Sequence, residues 1–123
     1  MQCLSKSIRA FIGAKNFDVS RRFYRALGFE EVVLDPQMSY FKVRDSLGFY
    51  LQDYYTEEWV DNSMLSLQVR NFDACCQELL NKSLSEVFPG VWLSGIKTYE
   101  WGRELDMLDP SGVLWHFAEY RAN

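Results

Sequence analysis

Two runs of alternating apolar residues, Ile8, Ala10, Ile12 and Ala14 and later Leu65, Leu67 and Val69, lead into nearly the same tetrapeptide, Lys15-Asn16-Phe17-Asp18 and Arg70-Asn71-Phe72-Asp73. Period-two alternation predicts a strand before each tetrapeptide. Asn beside a helix start accepts a hydrogen bond from a free N–H of the first turn, while Phe docks the turn on the sheet, so a helix is predicted after each. The first strand is placed at 7–14, with Arg9, Phe11 and Gly13 on its second face, and the first helix at about 19–27, stopped by Gly28. Strands follow at 29–34, 38–43 and 49–52, and the pattern makes one β-α-β-β-β unit.

Residues 53–62, acidic and aromatic without either period, are read as the connection between halves. The second unit opens with a strand at 64–69, in which Met64, Ser66 and Gln68 oppose the apolar positions. A helix at about 72–82 turns Cys76, Leu79 and Leu80 inward. Residues 83–95 are poorly patterned, and strands are placed at 96–99, 103–108 and 113–118. Asp109-Pro110-Ser111-Gly112 is a strong turn signal. A strand and helix repeated around a shared tetrapeptide argue for a pseudo-symmetric fold.

The 123 residues fit one domain, with modules at about 7–55 and 63–120. Nine Phe, seven Tyr and four Trp exceed what one small core needs, leaving aromatics for a pocket or a subunit interface. Seventeen acidic against thirteen basic residues give a mild net charge of −4 with no basic cluster beyond Arg21-Arg22, which argues against nucleic acid as a partner. Neither a signal peptide nor a run of membrane-spanning length is apparent, so the expectation is a cytoplasmic protein with no membrane partner. Three cysteines, an odd number with Cys75 and Cys76 adjacent, read as reduced thiols. No base neighbours Cys75 in sequence to activate it.

Phe23-Tyr24-Arg25-Ala26-Leu27-Gly28-Phe29, Trp101-Gly102-Arg103-Glu104 and Asp109-Pro110-Ser111-Gly112 occur in an order that resembles the vicinal oxygen chelate superfamily, over about residues 8–119. This family includes glyoxalase I, extradiol dioxygenases, fosfomycin-resistance transferases and bleomycin-resistance proteins. The resemblance implies an α+β fold of two βαβββ modules forming a cup-shaped mixed sheet, paired in a homodimer. It places the metal-ligand positions of the family's enzymes at Arg9, Met64, Leu51 or Gln52, and His116. Arg has no lone pair to give, Met thioether is soft, and an amide oxygen is a feeble ligand alone. No metal and no cofactor are therefore expected. The pattern is similar to the metal-free bleomycin-resistance branch, whose dimers sequester a bulky ligand between subunits and exchange an N-terminal strand; residues 2–7 would form such an arm.

On this basis the expected ligand-binding residues are Arg9, Phe11, Gln52, Trp59, Met64, Trp101, Arg103 and His116, with no catalytic residue. His116 is the single histidine; it serves as a ligand contact, a base or a satisfied core residue. Arg9 in the cup calls for a carboxylate, from Glu104, Asp106, a partner chain or the ligand. Trp59 and Trp101 fall where the fold puts pocket rims, or they plug the dimer seam. Trp115 and Phe117 belong to the core. Glu57, Glu58 and Asp61 around Trp59 attract a cation or are simply solvated. The favoured function is sequestration of a small aromatic or cationic molecule, leaning against catalysis. The alternative is a metal-dependent lyase, transferase or dioxygenase of the same superfamily, and a third reading is a dimeric interaction module.

Overall fold

The computed structural model describes residues 3–121, with the elements β1 (Phe11–Gly13), α1 (Phe17–Ala26), β2 (Glu30–Asp35), β3 (Met38–Arg44), β4 (Leu47–Gln52), α2 (Glu57–Asp61), β5 (Met64–Gln68), α3 (Phe72–Asn81), α4 (Leu84–Val87), β6 (Trp92–Leu93), β7 (Lys97–Tyr99), β8 (Gly102–Leu108) and β9 (Leu114–Tyr120). They form two mixed sheets, one of order β1-β4-β3-β2 and one of order β5-β9-β8-β6 with β7 also paired to β8. In each sheet the opening strand lies parallel to the closing strand of its own half, β1 beside β4 and β5 beside β9, and the other pairs are antiparallel. The α+β, two-module architecture is therefore present, as two separate sheets.

The repeated tetrapeptide works alike in both halves. Asn16 Oδ1 accepts from Val19 N at 3.1 Å and Asn71 Oδ1 from Ala74 N at 3.2 Å, each capping its helix. Phe72 is buried and Phe17 packs partly into the core. Leu27 ends α1 and Gly28 follows at φ +99°, the left-handed stop that glycine adopts without steric cost.

One core serves both modules: Phe23 and Tyr24 of α1 and Phe41 and Phe49 of the first sheet pack with Trp115 of the second. At its centre the Tyr24 hydroxyl donates to Asp109 Oδ2 at 2.6 Å and accepts from Trp115 Nε1 at 2.9 Å. Asp109 Oδ1 meanwhile accepts from the backbone N–H of Ser111 and of Val113, which shapes the Asp-Pro-Ser-Gly turn. Ser111 Oγ also accepts from Lys15 N at 2.9 Å, so this turn of the second half fastens the helix entry of the first.

Several expectations are corrected. The first strand is only Phe11–Gly13, because Ala10 is the last residue upstream whose carbonyl is taken by β4, through Tyr50 N at 2.9 Å. Ile8, expected on one strand face with Ala10, Ile12 and Ala14, is 98% exposed, and all of 3–10 is exposed. Gln2 of the expected arm lies outside the described residues. Leu80 is exposed on the outer side of α3, whereas Cys76 and Leu79 are buried as expected. Residues 53–62 contain the helix α2, and 83–95 contain α4 and β6.

Candidate functional site

Superposing the repeats at Lys15 and Arg70 pairs Arg9 with Met64, Phe11 with Ser66 and Gly13 with Gln68. Phe11 lies opposite Tyr50 in the first sheet and Ser66 opposite His116 in the second, so Tyr50 is the internal counterpart of His116. The position sought at Leu51 or Gln52 thus falls on Tyr50. Leu51 faces the other way and is fully buried in the core. Gln52 shares the Tyr50 face, next along the strand, with its amide directed at Met38 Sδ, 3.9 Å away.

Each sheet turns one face to the shared core and leaves the other open. On the open face of the first, Phe11 stacks on Tyr50 with centroids 4.7 Å apart, and Tyr40 leans on Tyr50 at 5.4 Å. Arg9 is exposed rather than buried, its guanidinium 4.2 Å from the centre of the Tyr40 ring and donating to the Tyr50 hydroxyl at 3.1 Å. It meets no carboxylate among the described residues, so the expected ion pair with Glu104 or Asp106 is not made. The side-chain position absent from Gly48 is taken by the Tyr40 hydroxyl. Trp59, on α2, lies at the edge of this face against Gly13 and within 5.8 Å of Tyr54.

The open face of the second sheet is polar at its centre. His116 on β9 pairs across with Asp106 on β8, and its Nδ1 lies 2.9 Å from Asp106 Oδ1 and 3.3 Å from Glu104 Oε1. Lys97 Nζ on β7 donates to Asp106 Oδ2 at 2.8 Å, and the Asp106 backbone N–H donates to Ser94 Oγ. Burial alone pushes the Asp106 carboxyl up, but hydrogen bonds with Lys97, Glu104 and His116 outweigh it and hold the group below its ordinary range. An ionised Asp106 carboxylate only accepts, so the proton of this hydrogen bond sits on Nδ1 of His116, and in the neutral form of the ring the lone pair is at Nε2. Nε2 has no partner among the described residues and is not buried. Beyond this centre stand Tyr99, Trp101 and Tyr120, with Tyr99 and Trp101 stacked at 5.0 Å and Trp101 5.3 Å from Tyr120; all three are exposed.

Of the eight residues singled out in the sequence, Arg9, Phe11, Gln52 and Trp59 thus gather on the first open face, and Met64, His116 and Trp101 on the second. Arg103 lies apart. It faces helix α3, donating to Glu119 Oε2 at 2.8 Å and Asp73 Oδ1 at 3.0 Å with its guanidinium over the Phe72 ring, and so clasps helix to sheet. Tyr40, Tyr50, Lys97, Glu104 and Asp106 complete the faces. The Asp-Pro-Ser-Gly turn was the available signal for two of these: closing a hairpin about it pairs 106 with 116 and brings 104 alongside. Cys75 is a half-buried thiol pushed up to about 11 by burial, and no activated nucleophile is found there.

No protein-family model matches the sequence, and no protein of curated function does. Solved structures do match in shape. A bleomycin-binding protein complexed with bleomycin superposes with a TM-score of 0.79 at 18% identity, over 95% of this chain and 100% of that one. A bleomycin resistance determinant encoded on transposon Tn5 gives 0.80 at 16% identity, over 96% and 100%. A glyoxalase/bleomycin resistance protein from Catenulispora acidiphila DSM 44928 gives 0.74 at 22%, over 95% and 100%. The chain shares the fold of these bleomycin-binding and glyoxalase/bleomycin resistance proteins.

The divalent metal that the sequence resemblance to the vicinal oxygen chelate enzymes would imply does not fit the residues present. Of the four equivalent positions Arg9 has no donor pair, Met64 is an exposed thioether, and the Tyr50 hydroxyl is engaged by Arg9, which leaves His116 alone. Glu104, Asp106 and His116 do bring ligand atoms within 4.8 Å of one another. A divalent ion between them would have to displace the Lys97 ammonium from Asp106 and the proton from Nδ1, both of which already satisfy these carboxylates.

Proposed function

We propose that the protein binds and sequesters a small aromatic or cationic molecule without transforming it. The observation that carries this reading is the open face of the second module, where two carboxylates offset by a single ammonium, with the accessible His116 Nε2, sit beside the exposed stack Tyr99, Trp101 and Tyr120. The acidic centre attracts a cation or an N–H donor, and the platform takes a flat ring. The fold likeness to a bleomycin-binding protein solved in complex with bleomycin supports the reading.

A homodimer completes the site in this account. The two open faces are complementary: aromatic and cationic through Arg9 on the first sheet, acidic on the second. Setting the first face of one chain over the second face of another gives two equivalent clefts and covers exposed Phe11, Val32, Leu34 and Met64. The exposed N-terminal arm, with Leu4 and Ile8 turned to solvent, then finds a surface on the partner. We place this protein in the cytoplasm, where its cysteines stay reduced.

A second reading is favoured by one feature, the Asp106–His116 pair, since a carboxylate that fixes the Nδ1–H tautomer leaves Nε2 ready to act as a general base. Calorimetry with bleomycin and analysis of the recovered drug separate the two. Under sequestration His116→Ala weakens binding by about 1–3 kcal/mol, and Trp101→Ala costs as much or more. Under catalysis His116→Ala leaves affinity nearly intact and abolishes an otherwise detectable change in the drug, since one positioned proton carrier is worth about 10²–10⁴ in rate.

A further inference from the structure

The repeated tetrapeptide opens on a basic residue in each half, Lys15 and Arg70. In the first half Lys15 is engaged, its backbone N–H donating to Ser111 and its ammonium 5.6 Å from the centre of the Tyr55 ring. In the second half Arg70 is exposed and meets neither a carboxylate nor an aromatic ring among the described residues. Arg70 continues β5 two residues past Gln68, which pairs with Ala118, and Val69 N donates to Ala118 O, so Arg70 stands across from Tyr120 at the end of the parallel pair. Here the surface forms a cleft of about 500 Å³ lined by Gln68, Val69, Arg70, Glu119 and Tyr120.

We propose that this cleft is a second binding site, sharing the Tyr120 edge of the aromatic platform with the acidic centre, for a planar aromatic anion, a carboxylate or sulfonate on a fused or single ring. The ring lies against Tyr120, whose neighbour Trp101 stacks in turn on Tyr99, so the platform is already assembled before a ligand arrives. The guanidinium of Arg70 has a planar fork of donors that matches a carboxylate or sulfonate, and Gln68 adds an amide donor from the same wall. Glu119, the acid of the lining, does not oppose an anion strongly because Arg103 Nε is hydrogen-bonded to its carboxylate at 2.8 Å. The charge preference is thus opposite to that of the acidic centre around Asp106, and the two sites are distinguished by ligand sign.

The test is a calorimetric titration of the full chain with naphthalene-2-sulfonate and, as the matched cation, 2-naphthylmethylammonium, at low salt, on the wild type and on Arg70→Gln and Tyr120→Leu. The expected result is that the sulfonate binds the wild type, that Arg70→Gln weakens it at least about tenfold, the usual scale for losing a charge-assisted contact, and that the same variant leaves affinity for the ammonium probe unchanged. Tyr120→Leu is expected to weaken the sulfonate as well, through loss of the stacking face. A melting temperature for Arg70→Gln equal to that of the wild type shows that the loss is not one of folding. Equal sulfonate affinity in wild type and Arg70→Gln, or no sulfonate binding to the wild type because a second copy covers the cleft, overturns the proposal.

Discussion

Tyr24→Phe removes one oxygen atom and orphans two buried groups. The Trp115 indole N–H loses the acceptor 2.9 Å away, and Asp109 Oδ2 loses the donor 2.6 Å away. Asp109 is fully buried and Trp115 nearly so, which keeps water from replacing the hydroxyl. An unsatisfied buried polar group costs about 1–3 kcal/mol, so the substitution should destabilise by about 2–5 kcal/mol, a large part of a domain's usual net stability of about 5–15 kcal/mol. With a urea m-value of about 1.5 kcal/mol/M, the midpoint should fall by about 1–3 M with the slope unchanged. The loss should also depend on pH. Burial pushes the Asp109 carboxyl above its ordinary range, partly offset by donation from Tyr24 and the turn, and removing that donor pushes it further up. A carboxyl raised in the folded state loses stability as pH rises through its folded value, so the penalty is largest at neutral pH and shrinks on acidification. The assay is urea unfolding of wild type, Tyr24→Phe, Trp115→Phe and the double variant at neutral and acidic pH. A loss below about 1 kcal/mol at neutral pH, or no coupling between the two substitutions, would refute the argument that this hydroxyl joins the modules.

Glu31 carries the opposite pH sign: burial pushes it up, but donation from Arg21 at 2.6 Å and from Ser39 at 2.6 Å, with the Arg25 charge, holds it below the ordinary 4.5. Its contribution is complete above that pH and is lost as pH falls through the folded value, so Glu31→Gln should lower stability at neutral pH and flatten the acid limb of the denaturation profile. Chelator should leave the melting temperature unchanged, because the donor set around His116 is already satisfied by protons and Lys97; a drop of several degrees on chelation would contradict this. Sedimentation at micromolar concentration should show a dimer, and a stable species of 14.5 kDa would refute the shared cleft.

The sequence disclosed the fold through features that are local. Alternation, the Asn caps, Gly28 and the Asp-Pro-Ser-Gly turn each act within a few residues; the caps, the glycine and the turn recur where they were expected, while the first alternating run forms a strand only over Phe11–Gly13. Ile8 shows the limit of the pattern, since alternation marks a strand face without saying which surface covers it. The aromatic and acidic stretch that folds as α2 lacked a helical period, and its Val60 is buried by contacts from elsewhere in the chain. For the site, the face of His116 was legible from its strand, but Glu104 and Asp106 were matched to Arg9 instead, as pairing between strands far apart in sequence cannot be read from charge alone. Arg103, expected in the pocket, is one step along β8 from Glu104 of the open face, and one step along a strand reverses the face.

The central claim is binding without chemistry at the face that carries His116. It is tested most directly by incubating the wild-type protein with 2-naphthylmethylammonium and larger aromatic cations, measuring affinity by calorimetry and recovering each ligand for mass analysis. The account predicts saturable binding that weakens with salt and ligand recovered unaltered. Failure of every cation to bind, or recovery of a product that disappears in His116→Ala, would contradict it.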